Sequence, residues 1–174
     1  MNTPLAFLHL PILVYLLYGI IIIDIIFFYH QGRLKLLQMS TRVRYAARAM
    51  IELALNYKTD PVQLKDIACK QDISVKYLEQ VMAPLRTRGY VRTQKGSRGG
   101  YHLAVKPEEI TLYDIVECVD GSLAPVSCVD DDYCDRADQC ATRPVWIRVK
   151  AVLTKELKAH TLAKLAAEQK KLTL

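Results

Sequence analysis

From Leu5 to Tyr29 the chain runs 25 residues with Asp24 as its one formal charge. About 20 apolar residues suffice for a helix to cross a bilayer, so few structures are open to such a stretch. A secretory signal peptide does not fit, because no Lys or Arg precedes the run and no small-x-small cleavage site follows it. Basic residues collect on the C-terminal side instead, at Arg33, Lys35, Arg42, Arg44 and Arg48. By the positive-inside rule they would keep everything downstream in the cytoplasm. Against a span stand Pro11, Gly19 and above all Asp24, which costs roughly 2.5–3.5 kcal/mol at the centre of a membrane helix. Two readings of residues 1–38 follow. They form a separate apolar helix that anchors the protein in the inner membrane, or they are an upstream extension ahead of a protein that starts at Met39. A core helix ranks behind both.

The composition changes at this boundary. Of the first 38 residues 25 are hydrophobic, whereas residues 39–174 hold 22 of the 24 basic and 17 of the 18 acidic residues. The length excludes a large multidomain enzyme, and seven glycines among 174 residues exclude collagen-like or low-complexity chains. Function is expected in the basic part.

There the fold reads as mainly α with a small β wing. Val43, Ala46, Ala47, Met50, Ile51, Ala54 and Leu55 recur at helical spacing after Ser40. A short second helix is predicted over Val62–Lys70, a tight turn at Gln71-Asp72-Ile73, and a third helix N-capped by Ser74. The inward face of that helix is Val75, Leu78, Val81, Met82 and Leu85; Pro84 should kink it and Gly89 end it. Two short helices around so tight a turn make a helix-turn-helix pattern. Two strand-like runs follow, Tyr90–Thr93 and Tyr101–Ala104, joined by the basic, glycine-rich tip Gln94–Gly100. A hairpin directly after a recognition helix is a wing, whose glycines would let backbone approach a phosphate while Lys95 and Arg98 supply charge.

Of five cysteines, Cys69 and Cys118 fall on predicted helices and are expected to be buried thiols. Cys128, Cys134 and Cys140 are spaced with five residues between each pair, in a loop with Asp130, Asp131, Asp132, Asp135 and Asp138. A DNA-binding domain works in a reducing compartment, which disfavours disulfides, and the CxxC knuckles of structural zinc are absent. Three thiols on one flexible loop suit an iron–sulfur cluster. A redox-switching thiol is the competing reading, opposed by the neighbouring carboxylates, which raise thiol pKa.

Arg44-Tyr45-Ala46-Ala47-Arg48-Ala49-Met50, Ile73-Ser74-Val75-Lys76-Tyr77-Leu78-Glu79-Gln80, Pro84-Leu85-Arg86, Gly89-Tyr90-Val91, Lys95-Gly96-Ser97-Arg98-Gly99-Gly100-Tyr101 and Ile110–Ile115 together resemble the Rrf2 family of winged helix-turn-helix regulators (IscR/NsrR/CymR-like) over residues 39–165. The resemblance implies a DNA-binding repressor. It places Ser74, Lys76, Tyr77, Glu79 and Gln80 at the major groove and Lys95, Gly96, Ser97, Arg98, Gly99, Gly100 and Tyr101 in the wing. The chemistry agrees: Glu79 can accept from cytosine, Gln80 can read adenine, and the others can hold phosphates. The resemblance also implies that Cys128, Cys134 and Cys140 ligate a cluster, [2Fe–2S] ahead of [4Fe–4S]. Cluster-binding members carry a His three residues after the last Cys, or use an acidic residue of the partner's first helix. Here those positions are Arg143 and Arg44. A loop aspartate, Cys118 or a non-protein ligand remains for the fourth place.

Trp146, Val149, Leu153 and Leu157 form a narrow apolar seam after Pro144. It packs on its own domain or, as the resemblance implies, pairs two copies into a homodimer that reads a palindromic operator in double-stranded DNA. The expected organisation is therefore a leader (1–38), a winged-helix domain (39–120), a sensor loop (121–142), and a dimerisation helix with tail (143–174). The protein is expected in the cytoplasm, at a membrane only if the leader is real. A cysteine enzyme is excluded because His102 and His160, the two histidines beyond the leader, have no triad-like context. A regulator without a cluster, controlled by a protein partner or by thiol oxidation, is the alternative.

Overall fold

Ser40 opens the first described helix, α1 (Thr41–Leu55), by accepting the Val43 N–H at 3.1 Å, and its hydroxyl donates to Asp120, 80 residues on, at 2.7 Å. The computed structural model describes residues 39–96, 99–130 and 134–172, so the leader and both readings of it lie outside the described residues. The buried stripe of α1 is Val43, Ala46, Ala49, Met50 and Leu53. Ala47, Ile51, Ala54 and Leu55, read from periodicity as inward, flank it and are only half-buried. A broad apolar face orients a helix without fixing its centre line, and here Ala49 and Leu53 define that line.

The second helix, α2 (Leu64–Gln71), starts two residues later than the periodicity suggests. Val62 instead pairs with Tyr101, donating at 2.9 Å and accepting at 2.8 Å. A β-branched residue after Pro61 favours that extended backbone. Asp72 makes the turn in left-handed conformation (φ 52°, ψ 49°), and the Ile73 N–H donates to the Ala68 carbonyl at 3.1 Å. Cys69 corrects an expectation, since it is exposed. In a helix this short Leu64, Ile67 and Ala68 fill the inward side, and the next residue turns about 100° away.

Ser74 caps α3 (Val75–Thr87) by accepting the Tyr77 N–H at 3.1 Å. The helix runs through Pro84 to Arg88 and closes at Gly89, where the Tyr90 N–H reaches the Leu85 carbonyl at 3.0 Å. Leu78, Val81, Met82 and Leu85 are fully buried, but Val75, expected among them, is 40% exposed. It occupies the first helical position, where neighbours cover a side chain from one direction along the axis only.

The wing is an antiparallel hairpin of β1 (Val91–Gln94) and β2 (Gly100–Leu103), in register from Val91 opposite Leu103 to Gln94 opposite Gly100. Val91 and Leu103 are buried and root it in the core, while Arg92, Thr93 and Gln94 are exposed. Next comes α4 (Leu112–Asp120), begun by a capping box between Thr111 and Asp114. Short 3₁₀ turns at Ser127–Val129 and Ala137–Gln139 lead to α5 (Arg143–Ala159), which packs on α4 and the first of those turns. The segment after it is no loose tail. It forms α6 (Leu162–Leu172), which returns to pack on α1. The Leu112 N–H donates to His160 at 2.9 Å and the Leu162 N–H to Ile110 at 2.7 Å. Leu162 is fully buried, worth about 1.5–3 kcal/mol. No helix among the described residues is long and apolar enough to cross a membrane.

Candidate nucleic-acid interface and cysteine loop

Opposite its buried stripe, α3 presents Lys76, Glu79 and Gln80, all exposed. Spaced three and four apart, they share one face, and neither Lys76 nor Glu79 joins an ion pair among the described residues. Ser74 at the head of the helix is exposed as well, but its oxygen is engaged as the cap. Its hydroxyl proton is what it can offer a phosphate. Tyr77 differs from its neighbours. It is half-buried and meets the Tyr45 ring edge-on, centroids 6.0 Å apart and planes at 89°. Arg44 covers Tyr45 at 5.4 Å. Tyr77 therefore seats α3 on α1, and Arg44 and Tyr45 act in that seat, which sequence spacing did not reveal. Arg48 donates to Gln71 at 3.1 Å and Lys70 pairs with Glu52 at 2.8 Å, tying α2 to α1 as well.

In the wing, Lys95 and Gly96 are exposed, whereas Gly99, Gly100 and Tyr101 are half-buried; Ser97 and Arg98 lie outside the described residues. The glycines serve the chain itself. A Cβ on Gly99 would stand 2.3 Å from the Gln94 carbonyl oxygen, and one on Gly100 would stand 2.5 Å from that of Val62. Contacts that short are forbidden, so glycine is what lets β2 lie against both Gln94 and the Val62 backbone. Tyr101 makes the two backbone bonds to Val62.

Cys128, Cys134 and Cys140 are half-buried free thiols. Asp130 accepts from Lys150 at 2.5 Å and from Ser122 at 2.6 Å, which fastens the start of the loop to α5 and to the end of α4. Those two partners, Lys150 first, hold its carboxyl below the usual range. The Cys140 sulfur lies 3.3 Å from the Thr142 hydroxyl. That hydrogen bond, then the Arg143 and Thr142 backbone, hold the Cys140 thiol below its ordinary pKa. This runs against the expectation from the surrounding carboxylates: the nearest groups are hydrogen-bond donors. Burial pushes the Cys118 thiol up.

Along α5, the seam residues Trp146, Val149, Leu153 and Leu157 are half-buried, and none of the 17 residues is fully buried. Val145 and Ile147 are each 42% exposed and Val152 66%.

Residues 39–168 match the model of the Rrf2 family, described as "Iron-dependent Transcriptional regulator". This chain belongs to the Rrf2 family. It is 38% identical over 130 residues to Protein rrf2 of Nitratidesulfovibrio vulgaris, covering 74% of this chain and 87% of that one. To the HTH-type transcriptional regulator IscR of Klebsiella pneumoniae it is 35% identical over 133 residues, covering 76% and 82%. The solved structure of CymR, the global cysteine regulator of Bacillus subtilis, is similar at a TM-score of 0.65 and 36% identity, covering 75% of this chain and 97% of that one.

The Rrf2 match makes the chain a DNA-binding transcription regulator rather than an enzyme, with the mainly helical winged-helix fold expected from sequence. The donor chemistry of the loop suits an iron–sulfur cluster, for it offers thiols without disulfides. The residue at the histidine position, Arg143, cannot ligate, and its Nε is enclosed without a partner. Among the described residues no group of three or more His, Cys, Asp or Glu is gathered for a metal. The sequence spacing reveals the donors; their assembly is a separate event.

Proposed function

We propose that this chain is a cytoplasmic, homodimeric Rrf2 repressor that reads a palindromic operator with α3 and the wing. The observation that carries the reading is the two-sidedness of α3. It buries Leu78, Val81, Met82 and Leu85 completely while Lys76, Glu79 and Gln80 stand exposed on the other side. In this reading Glu79 and Gln80 meet base edges, Ser74 and Lys76 meet phosphates, Tyr77 holds the helix in place, and Lys95 and Gly96 carry the wing to the backbone. Ser97, Arg98, Gly99, Gly100 and Tyr101 complete the wing. Cys128, Cys134 and Cys140 would hold the cluster, [2Fe–2S] ahead of [4Fe–4S]. When bound it supplies sensitivity to redox state or to iron supply. The chain's own part is to fasten the loop to α5 through Asp130 and Lys150, so a loop rearrangement reaches the helix proposed to pair the protomers. The seam of Trp146, Val149, Leu153 and Leu157, with exposed Val145 and Val152 beside it, is what supports pairing through α5.

A second reading draws on the Cys140 environment: a half-buried free thiol 3.3 Å from the Thr142 hydroxyl, held below its ordinary pKa, suits direct oxidation without a cluster. One experiment separates the two. Anaerobically isolated protein with full iron supply should show visible thiolate-to-iron absorption that disappears when Cys128, Cys134 or Cys140 becomes Ala. A colourless wild type that still binds DNA supports the second reading. In the same footprinting series, Glu79→Ala should cost about 1–3 kcal/mol at particular base pairs, whereas Lys95→Ala weakens binding evenly across sequences.

A further inference from the structure

Among the described residues of 40–142, Val75 is the one large apolar side chain left exposed; the others stand at Met39, along α5 and at Leu172. A lone exposed valine is ordinary on a protein surface, but this one has an unusual place. It opens α3, between the capping Ser74 and exposed Lys76. Met82, seven residues on and so along nearly the same line of the helix, is fully buried. The head of α3 therefore stands clear of the core that covers the rest of that side.

This end of the helix is fixed. Ser74 accepts the Tyr77 N–H at 3.1 Å, and the Tyr77 ring meets that of Tyr45 edge-on at 6.0 Å. Every Cα–Cβ bond of a helix tilts toward its N-terminus, so a side chain at the first position projects toward and past the helix end. Exposed Glu79 follows one turn later, about 40° further around the axis. Val75 thus borders the side chain proposed to meet base edges, at the end of the helix that leads into a groove.

An isopropyl group neither donates nor accepts a hydrogen bond. Against the major-groove edge of guanine, adenine or cytosine it would strip water from polar groups without replacing the bond. Thymine presents a methyl group there. We infer that Val75 packs on the 5-methyl group of a thymine and adds an apolar contact to the specificity of α3, an inference that rests on α3 being the helix that enters the major groove. Residues one turn apart stand about 5–6 Å from each other, and successive base pairs about 3.4 Å. The thymine therefore lies within about two base pairs of the base met by Glu79.

The probe is a duplex recovered by the full chain from a random-sequence pool. Each of its thymines is replaced in turn by deoxyuridine, which lacks only the 5-methyl group. In wild type, one replacement within about two base pairs of the position relaxed by Glu79→Ala should weaken binding about fourfold. Val75→Ala should bind the thymine duplex more weakly and lose nothing further on that replacement, whereas Val75→Ile should keep the sensitivity. Urea midpoints of the variants separate lost contact from lost folding. A uracil penalty equal in wild type and Val75→Ala at every thymine, or no penalty near the Glu79 position, overturns the inference while Glu79→Ala still alters preference. If Glu79→Ala alters nothing either, α3 is not the reading helix and the inference falls with that reading.

Discussion

Along α3 four apolar side chains are fully buried within 13 residues, whereas the 17-residue α5 buries none. The two helices have similar amphipathic sequences, so the difference lies in their surroundings. α3 is enclosed by α1, α2 and α4 of the same chain. α5 rests on α4 and one 3₁₀ turn and leaves Val145, Ile147 and Val152 exposed. The winged helix is complete as a single chain. Across residues 128–159, by contrast, no described residue is fully buried, and α5 keeps Val145, Ile147 and Val152 exposed. A region with little burial can repack without unfolding the well-buried winged helix, which is what the proposed sensor role of the cysteine loop requires.

The largest expected effect tests that asymmetry directly. Leu78→Ala removes a fully buried side chain and should destabilise the fold by about 2–5 kcal/mol in urea denaturation. Replacing Cys128, Cys134 and Cys140 together by Ser, each half-buried, should cost the cluster-free protein less than that, under about 1.5 kcal/mol in all. Equal losses would erase the distinction. Intermediate in size is Val152→Asp on the exposed side of α5. Sedimentation should show dimer affinity lowered at least tenfold while the unfolding of the monomer is unchanged. Retention of full dimer affinity would remove this side of α5 from the interface.

The smallest effect sits on the border between the two regions. Tyr113 of α4 donates to Glu117 at 2.5 Å, and Lys158 of α5 covers its ring at 4.7 Å. The Glu117 hydrogen bond, with burial second, pushes the Tyr113 pKa up to about 12. A raised folded pKa contributes stability that is whole below the unfolded value near 10 and fades as pH climbs to about 12. Tyr113→Phe should therefore cost under about 1 kcal/mol at pH 7, discounted for the partial exposure of Glu117. That gap from wild type should close between pH 10 and 12 in paired denaturation curves. A pH-independent gap would mean the hydroxyl matters through packing alone.

Much of the winged helix was legible in the sequence. Ser74 as cap, Gly89 as terminator and the Leu78-to-Leu85 stripe are local features, each decided within about one helical turn. The donors of the cysteine loop were equally plain from spacing. Other parts depended on distant chain. Val62 reads as helical until Tyr101 lies beside it, and Cys69 reads as core until Ile67 and Ala68 take the inward side. The edge-on contact of Tyr77 with the Tyr45 ring likewise has no signal in the local spacing.

By itself, then, the sequence determined the order of elements through α5, the caps Ser74 and Gly89, the basic wing and a loop of three evenly spaced thiols. Those follow from periodicity and side-chain chemistry over a few neighbouring residues. Tertiary structure alone decided which flank of α1 is core, why Gly100 cannot carry a Cβ beside Val62, that α6 returns to α1, and that α5 buries no residue fully against its own chain. The physical reason is range. A cap or a stripe is fixed by groups within a few residues, whereas burial is fixed by whichever segment arrives from far along the chain.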